Sequence, residues 1–386
     1  MLVLRVALVG AGKMGISHLS ILRAHQMVNV VGICDQAGFL LDVLGKYTGL
    51  NTFTSYEEML RSEHLDAVVI ATPTPYHFDM AEAAIRAGVS VFCEKPLTLS
   101  YEQSLQLHLM ATKAGVVTQV GYHNRFIGSF QEVKRLLDLE VLGQVSHALA
   151  ESYGPVVLRE KGKTWRAKRS AGGSCLYDYA AHSIDLLQWY FGAPRQVHGS
   201  NLSSIFSSDT DDEVYSNLNF TGGTSAHLSV NWSDESFRKM TTRISLWGRH
   251  GRIIADRQEC RVYLNESAVL PEGYSKGWNV KYTTELTKPV WFYLRGEEYS
   301  AEIDHFIREV AGLKKDQQRQ CFNDFESATE VDRTIEMILD DVSGDRSNHQ
   351  IPDNRELTRQ VAGNGSARGN MLMAPLRKLI STRGRR

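Results

Sequence analysis

Three observations predict an α/β fold: an N-terminal Rossmann-type doubly wound parallel sheet, then an α+β domain carrying a large mixed, mostly antiparallel open sheet. From residue 4 to about 122, short β-branched runs alternate with helical patterns, the rhythm of βαβ units. A glycine-rich Gly10-Ala11-Gly12-Lys13-Met14-Gly15 stands between the first run and the first helical pattern. Past Arg125 the pattern changes, and between residues 196 and 264 it becomes period-two alternation with polar or Gly-rich turns such as Thr221-Gly222-Gly223, the mark of half-buried strands.

In chain order, the first sheet takes LRVALV, VNVVGICD, LDAVVIAT, VSVFCE and GVVTQVGY, with helical segments at residues 18–24, 56–61 and 76–87. These strands are continuously apolar, as strands covered by helices on both faces must be. A helix at residues 130–138 leads to VSHALA, then a basic stretch at 159–169 and a helix at 174–190. The second sheet takes EVYSNLNF, TSAHLSVNW, TTRISLWG and GRIIAD. Two late helices span residues 299–310 and 325–339, the second with Phe325, Ala328, Val331, Ile335, Ile338 and Leu339 on one face. The domains expected are 1–123 for a dinucleotide, 124–345 for substrate and oligomerisation, and 346–386 as an extension with a basic tail.

The chain has 386 residues, 43 Lys+Arg and 44 Asp+Glu, for a net charge of −1. That balance gives no global field for a polyanion, so no nucleic-acid partner is expected. No apolar run approaches the roughly 18 residues that cross a bilayer, so no membrane partner is expected either. MLVLRVALVGAG lacks a basic leader and a cleavage site and reads as a first strand. Cys34, Cys93, Cys175, Cys260 and Cys321 are odd in number, dispersed and without CxxC, which suits reduced thiols in the cytoplasm and no metal site.

In the glycine-rich turn, Gly10 permits the bend, Gly12 lets backbone approach a pyrophosphate, and Gly15 lets helix and strand pack closely. The helix start then offers free N–H groups to the anion, and Lys13 and Met14 lie within that first turn. Asp35, twenty residues after Gly15, closes the second strand, where a carboxylate accepts from both adenosine ribose hydroxyls. Asp35 would repel a 2′-phosphate and Gln36 offers no arginine for one, so NAD is expected rather than NADP.

With this site in place, the sequence resembles the glucose-fructose oxidoreductase, inositol dehydrogenase and rhizopine-catabolism family (Gfo/Idh/MocA) over about residues 4–345. The resemblance rests on GAGKMG at 10–15, ATPTPYH at 71–77, CEKPL at 93–97, GYHNRF at 121–126, Trp165-Arg166, and GGSCLYDYAAHSIDLLQWYFG at 172–192. It implies a cleft between the two domains, a small-molecule sugar or polyol substrate, and a homodimer or homotetramer formed through the open C-terminal sheet. Two departures stand out: Ala171-Gly172-Gly173 in place of three glycines, and Asp178-Tyr179-Ala180-Ala181-His182 in place of D-x-G-x-H.

Glu94-Lys95-Pro96 falls at the carboxyl end of a strand, the edge where doubly wound sheets bind ligands. Pro96 restrains Lys95 to an extended backbone, aiming a lysine that can stabilise charge on a reacting oxygen. Asp178 and His182, four apart on a helix, share a face, with Asp185 nearby. A histidine near pKa 6.5 suits removal of a hydroxyl proton. His182 is therefore expected as base, Lys95 as its acid-base support and Asp178 as a positioning group, with Asp185 able to hold the other ring nitrogen.

The resemblance further implies that Thr72, Pro73 and His77, with Glu94 and Lys95, border the nicotinamide ribose. Asn124, Arg125, Tyr153, Trp165, Arg166 and Tyr177 are expected to grip a polyhydroxylated substrate, aromatic faces packing on sugar rings and arginine donating to hydroxyls or phosphates. Residues 159–169 hold six basic residues against Glu160 alone, which could receive an anionic substrate such as a nucleotide sugar. The function expected is hydride transfer between a secondary ring hydroxyl of a sugar, cyclitol or sugar derivative and the nicotinamide. An NAD-dependent glycosidase working by transient oxidation and elimination, and a nonenzymatic NAD-binding regulator, are the alternatives.

Overall fold

The continuous apolar runs become the parallel sheet. The structure is a computed structural model and describes residues 2–160, 164–313 and 323–344. Cys321, Lys161, Lys163 and the basic tail lie outside the described residues. Strands β1 (Leu4–Val9), β2 (Val28–Cys34), β3 (Asn51–Phe53), β4 (Ala67–Ile70), β5 (Ser90–Cys93) and β6 (Thr118–Val120) form one sheet in the order β3-β2-β1-β4-β5-β6. All its pairings are parallel.

Helices α1 (Lys13–Ala24), α2 (Gly38–Thr48), α3 (Tyr56–Ser62), α4 (His77–Arg86) and α5 (Tyr101–Ala114) connect the strands. The chain leaves β1 on one side for β2 and on the other for β4, and that reversal opens a crevice at the strands' carboxyl ends. The short β3 and the helices α2 and α5 go beyond what the sequence pattern predicts. With three residues, β3 has too little pattern to read, and α2 buries only Leu41.

After α6 (Gly128–Asp138), the second sheet runs β14-β13-β12-β11-β7-β10-β9-β8. Its strands are β7 (Val145–Tyr153), β8 (Pro194–Ser203), β9 (Glu213–Phe220), β10 (Ser225–Asn231), β11 (Thr241–Gly248), β12 (Gly251–Asp256), β13 (Glu259–Leu264) and β14 (Gly277–Tyr282). Only β7 and β10 pair in parallel. Along β9, Val214, Ser216, Leu218 and Phe220 are buried and alternate with half-buried neighbours, the period the sequence shows. The sheet also gains β14, a strand with no buried position, which is why its sequence carries little strand signal.

Helix α7 (Ala181–Phe191) covers the buried face of this sheet, its Ile184, Leu186 and Leu187 joining Ala148, Val214, Leu228 and Ile244 in one core. After the short α8 (Thr283–Leu286) come α9 (Glu297–Val310) and α10 (Phe325–Ser343). Of these late helices, expected with the second domain, α9 returns to the first, while α10 bridges both, its Thr334 accepting from Gln188 of α7 and its Asp341 from the Ser200 amide of β8. Ile303, Phe306 and Ile307 of α9 share a core with Leu4, Val6, Leu8, Ile21 and Phe92. From α10, Asp332 accepts from Ser104 Oγ at 2.6 Å, and Glu336 accepts from Tyr101 N at 2.9 Å. The two sheets thus lie within one packed unit, which holds the cleft between them at a set width. Among the described residues, no helix is long and apolar enough to cross a membrane, and no group of His, Cys, Asp and Glu could hold a metal ion.

Candidate active site

A cleft of about 1390 Å³ lies along the carboxyl ends of β1, β2, β4 and β5 and is closed on its far side by loops after β7 and before β11 and by the segment leading into α7. Its floor is the glycine-rich turn. Gly10 has φ +89°, and a Cβ there would meet the Ala71 carbonyl at 2.7 Å; at Gly15 a Cβ would meet the Gly10 oxygen at 1.8 Å. At Gly12 nothing lies within 4 Å of an added Cβ, so the backbone is open to the cleft. No side chain caps the start of α1, which leaves its N–H groups for an anion. Asp35 Oδ2 accepts from Ala11 N at 2.6 Å and Oδ1 from Ala37 N at 2.8 Å. Both amides orient the carboxylate on the cleft lining, with lone pairs remaining. Open turn, uncapped helix and aimed carboxylate together fit a dinucleotide.

At the carboxyl end of β5, Lys95 precedes Pro96 through a cis peptide bond, an isomer the sequence does not disclose. Lys95 Nζ donates to Asp178 Oδ1 at 2.5 Å and to the Asp178 carbonyl at 2.9 Å, while Arg166 Nε donates to Asp178 Oδ2 at 3.2 Å. Burial by itself would raise the Asp178 carboxyl; Lys95 and Arg166 outweigh it and hold the group below the usual carboxylate value. Asp178 belongs to a π-helical turn, Leu176–Ala180, which runs straight into α7. Such turns inside helices recur at functional sites.

His182 is 3% exposed, and its Nδ1 is buried with no hydrogen-bond partner among the described residues. Burial, then Lys95 and His123, push its imidazole well below the ordinary value, so the ring is neutral. His123 packs edge-on to it at 4.8 Å and stacks on Tyr299 at 4.6 Å; burial pushes His123 down to about 3 against the pull of Glu94. Glu94 Oε1 accepts from His18 Nε2 at 2.7 Å. Burial would raise its carboxyl, but His18, Lys95 and His123 hold it below its ordinary value. Gly173 lets the loop pack close to this helix, since a Cβ there would meet the carbonyl oxygens of Arg166 and Trp165 at 2.4 and 2.5 Å.

The structure brings Gly10, Gly12, Lys13, Met14, Asp35, Thr72, Pro73, Glu94, Lys95, Trp165, Arg166, Asp178 and His182 onto this one cleft. Other expected residues fall elsewhere. Asp185 does not hold His182: Arg125 Nε donates to both its oxygens at 3.0 and 2.9 Å, and Arg125 also stacks at 5.8 Å on Trp189. Arg125, 3% exposed, is therefore consumed by the core rather than offered to substrate. His77 is buried, with Nε2 against the Thr72 carbonyl at 2.9 Å and Nδ1 against that of Pro96 at 3.0 Å. It ties two cleft turns together from behind. Asn124 and Tyr177 are buried off the cleft, and Tyr153 stacks on Phe237 with its hydroxyl on Ser229.

The basic stretch is also less free than its composition suggests, because Arg166 pairs with Asp178 and Arg169 with Asp211 at 3.0 Å. Residues that sequence reasoning passed over line the cleft instead: His123, Tyr179, Arg238, Lys239, Met240, Arg295 and Tyr299. His123 had a signal, since it lies inside GYHNRF; the others come from turns and late segments without a motif.

Two family models match the chain. "Oxidoreductase family, NAD-binding Rossmann fold" covers residues 4–122, and "GFO/IDH/MocA C-terminal domain" covers residues 130–254. An uncharacterized oxidoreductase of Synechocystis sp. is 32% identical over 52% of this chain and 54% of its own length. The rhizopine catabolism protein MocA of Rhizobium meliloti is 25% identical over 49% of this chain and 57% of its own. The match thus spans about half the length of these curated relatives. Levoglucosan dehydrogenase, solved with NADH and L-sorbose, superposes with a TM-score of 0.78 at 20% identity, over 89% of this chain and 98% of that one, which shows a shared fold. With both models of one family matching in order along the chain, and the NAD-binding turn in its place, the chain belongs to the Gfo/Idh/MocA oxidoreductase family.

Proposed function

We propose that the protein is an NAD-dependent dehydrogenase that moves hydride between a secondary ring hydroxyl of a sugar, cyclitol or sugar derivative and the cofactor. The observation that carries this reading is the Lys95 to Asp178 contact at 2.5 Å with neutral His182 on the same cleft. It joins an acid-base set from both domains beside the dinucleotide turn.

Gly10, Gly12, Lys13, Met14 and Asp35 would hold NAD, which supplies the hydride acceptor when bound. The substrate hydroxyl loses its proton as hydride leaves the carbon. His182 would take that proton on its neutral ring, although burial, which disfavours the protonated form, makes it a weaker base than a free imidazole. Lys95 donates a hydrogen bond to the same oxygen and stabilises the charge that develops there. Asp178 positions Lys95, and its two cationic partners keep it ionised for that task. Thr72, Pro73 and Glu94 border the reacting end; Trp165 and Arg166, stacked at 4.4 Å, offer a ring face and a donor to a polyhydroxylated substrate.

Support from relatives is consistent in kind. D-glucoside 3-dehydrogenase of Escherichia coli is 28% identical over 51% of this chain. A second reading, transient oxidation without net redox change, draws on a 26% identical relative of Mediterraneibacter gnavus named 2,7-anhydro-N-acetylneuraminate hydratase. A screen of sugars, inositols and sugar derivatives with NAD decides between them. Stoichiometric NADH accumulation supports the dehydrogenase; substrate loss with bound NAD and no free NADH would establish the second reading. We place the protein in the cytoplasm, on its dispersed cysteines without a CxxC pair, and as a homodimer or homotetramer, which exposed Tyr263, Trp278, Val280 and Tyr282 on the outer strands of the second sheet support.

A further inference from the structure

The two walls of the cleft carry opposite charge. On the first-domain wall, Lys13 and Lys95 face Asp35, Glu57, Asp79 and Glu94. On the opposite side, Arg166, Arg238 and Lys239 of the second domain, with Arg295 just ahead of α9, accompany a single acid, Asp178. That acid is already engaged by Lys95 and Arg166. Arg238, Lys239 and Arg295 are exposed, and none of them forms an ion pair among the described residues. Exposed like charges on one side of a cleft attract an anion into it, while solvent ions screen them when none is bound.

Two further observations point the same way. Arg295 has φ +65°, a left-handed conformation that side chains seldom adopt, and its guanidinium lies 5.6 Å over the Tyr299 ring. Backbone held in that region beside a cleft is strain the surrounding structure maintains. Lys239 also borders a second cavity of about 360 Å³ whose charged lining includes Arg257, Glu297 and Glu298, the last paired with Arg257, so those acids border that cavity and not the main cleft. The basic stretch at 159–169 does not account for this charge, since its arginines on this side are paired internally.

We propose that Arg238, Lys239 and Arg295 form a substrate-anion site, so that the substrate is an acidic sugar bearing a carboxylate or phosphate away from the oxidised carbon. This rests on the dehydrogenase reading above and names its substrate class. Charge-assisted contacts of this kind are strong and specific for anions, and arginine's fork favours planar or tetrahedral oxyanions over hydroxyls.

The test uses full-length protein saturated with NAD. Each of several aldohexoses is offered as free sugar, as 6-phosphate and as uronate, with NADH formation and quenching of tryptophan fluorescence as separate readouts. We expect at least one anionic series to exceed its neutral counterpart about tenfold or more in kcat/KM or in affinity. That ratio should fall toward one in Arg238→Gln/Lys239→Gln/Arg295→Gln and with added salt, while the affinity for NAD stays the same. A phosphate-only or carboxylate-only preference identifies which anion the site takes. A native ratio at or below one, a ratio unchanged in the triple variant, or a loss confined to NAD affinity overturns the anion site. Failure of every sugar to yield NADH overturns the dehydrogenase reading instead, and the binding ratio still decides the anion site.

Discussion

Asp178 and Asp185 lie on the same stretch of helical chain, one half-buried and one fully buried, both bonded to a cation, yet they serve different ends. Asp185 is sealed against Arg125, with side chains 0% and 4% exposed. Burial pushes its carboxyl up even though Arg125 opposes it. Asp178 keeps 12% exposure on the cleft and has two cations, which hold it down. A third carboxyl, the buried Asp332, completes the series: its bonds come from Ser104 and Thr98, no ion pair reaches it among the described residues, and burial pushes it up to about 8. The difference teaches that the ionic pair itself does not mark a reactive site. Access to the cleft, and a surplus of cation over what burial demands, separates the group that can act on a ligand from the one that holds two elements together.

The largest effect expected is at the open pair. His182→Ala or Lys95→Ala should lower turnover by roughly 10²- to 10⁴-fold, the scale for losing a positioned acid-base group, with NAD binding and folding retained because Arg166 still pairs with Asp178. Near-native turnover on the true substrate would end the comparison. At the sealed pair, Arg125→Ala should cost about 3–5 kcal/mol of stability, the usual consequence of leaving a buried charge alone. Denaturant unfolding measures it, and a loss smaller than that of Lys95→Ala would reverse the ranking.

Asp332 should act through pH. Its folded-state pKa lies above the unfolded value, so its contribution is fullest below about pH 4 and declines as pH rises toward 8. Asp332→Asn should remove that decline, which a shift from about 4 to about 8 sets at roughly 5 kcal/mol, seen as a smaller fall in Tm between those pH values. A parallel shift of both curves would show that Asp332 does not titrate there. The smallest effect concerns Asp35, a half-buried carboxylate whose partners are amides. Asp35→Ser with Gln36→Arg should move cofactor preference toward NADP by about tenfold, the value of one charge-assisted bond. Equal native affinities for NAD and NADP would remove Asp35 from the ribose site.

Much of this was legible before any coordinates, for a local reason. The GAGKMG turn, the apolar parallel strands and the placement of Asp35 depend on residues within one βαβ unit, where glycine sterics and strand periodicity act at short range. The pairing of Asp178 with Lys95 was legible only as shared membership of a site, because eighty-three positions separate them. The assignment of Asp185 to His182 failed on the same ground. Helical spacing places Asp185 near that face, but it carries no information about Arg125 arriving from another segment with a bidentate fork.

By itself the sequence determined the doubly wound sheet, the dinucleotide turn and the helix that bears Asp178 and His182, since each follows from residue type and spacing along a continuous segment. Tertiary structure alone decided that α9 returns to the first sheet and α10 bridges both domains, that Arg166 and Arg169 are paired while Arg238, Lys239 and Arg295 are not, and which carboxyls are sealed. Burial and ion pairing depend on which distant segments meet, and the energy of a buried charge is set by the partners and the water left around it, quantities that no local pattern encodes.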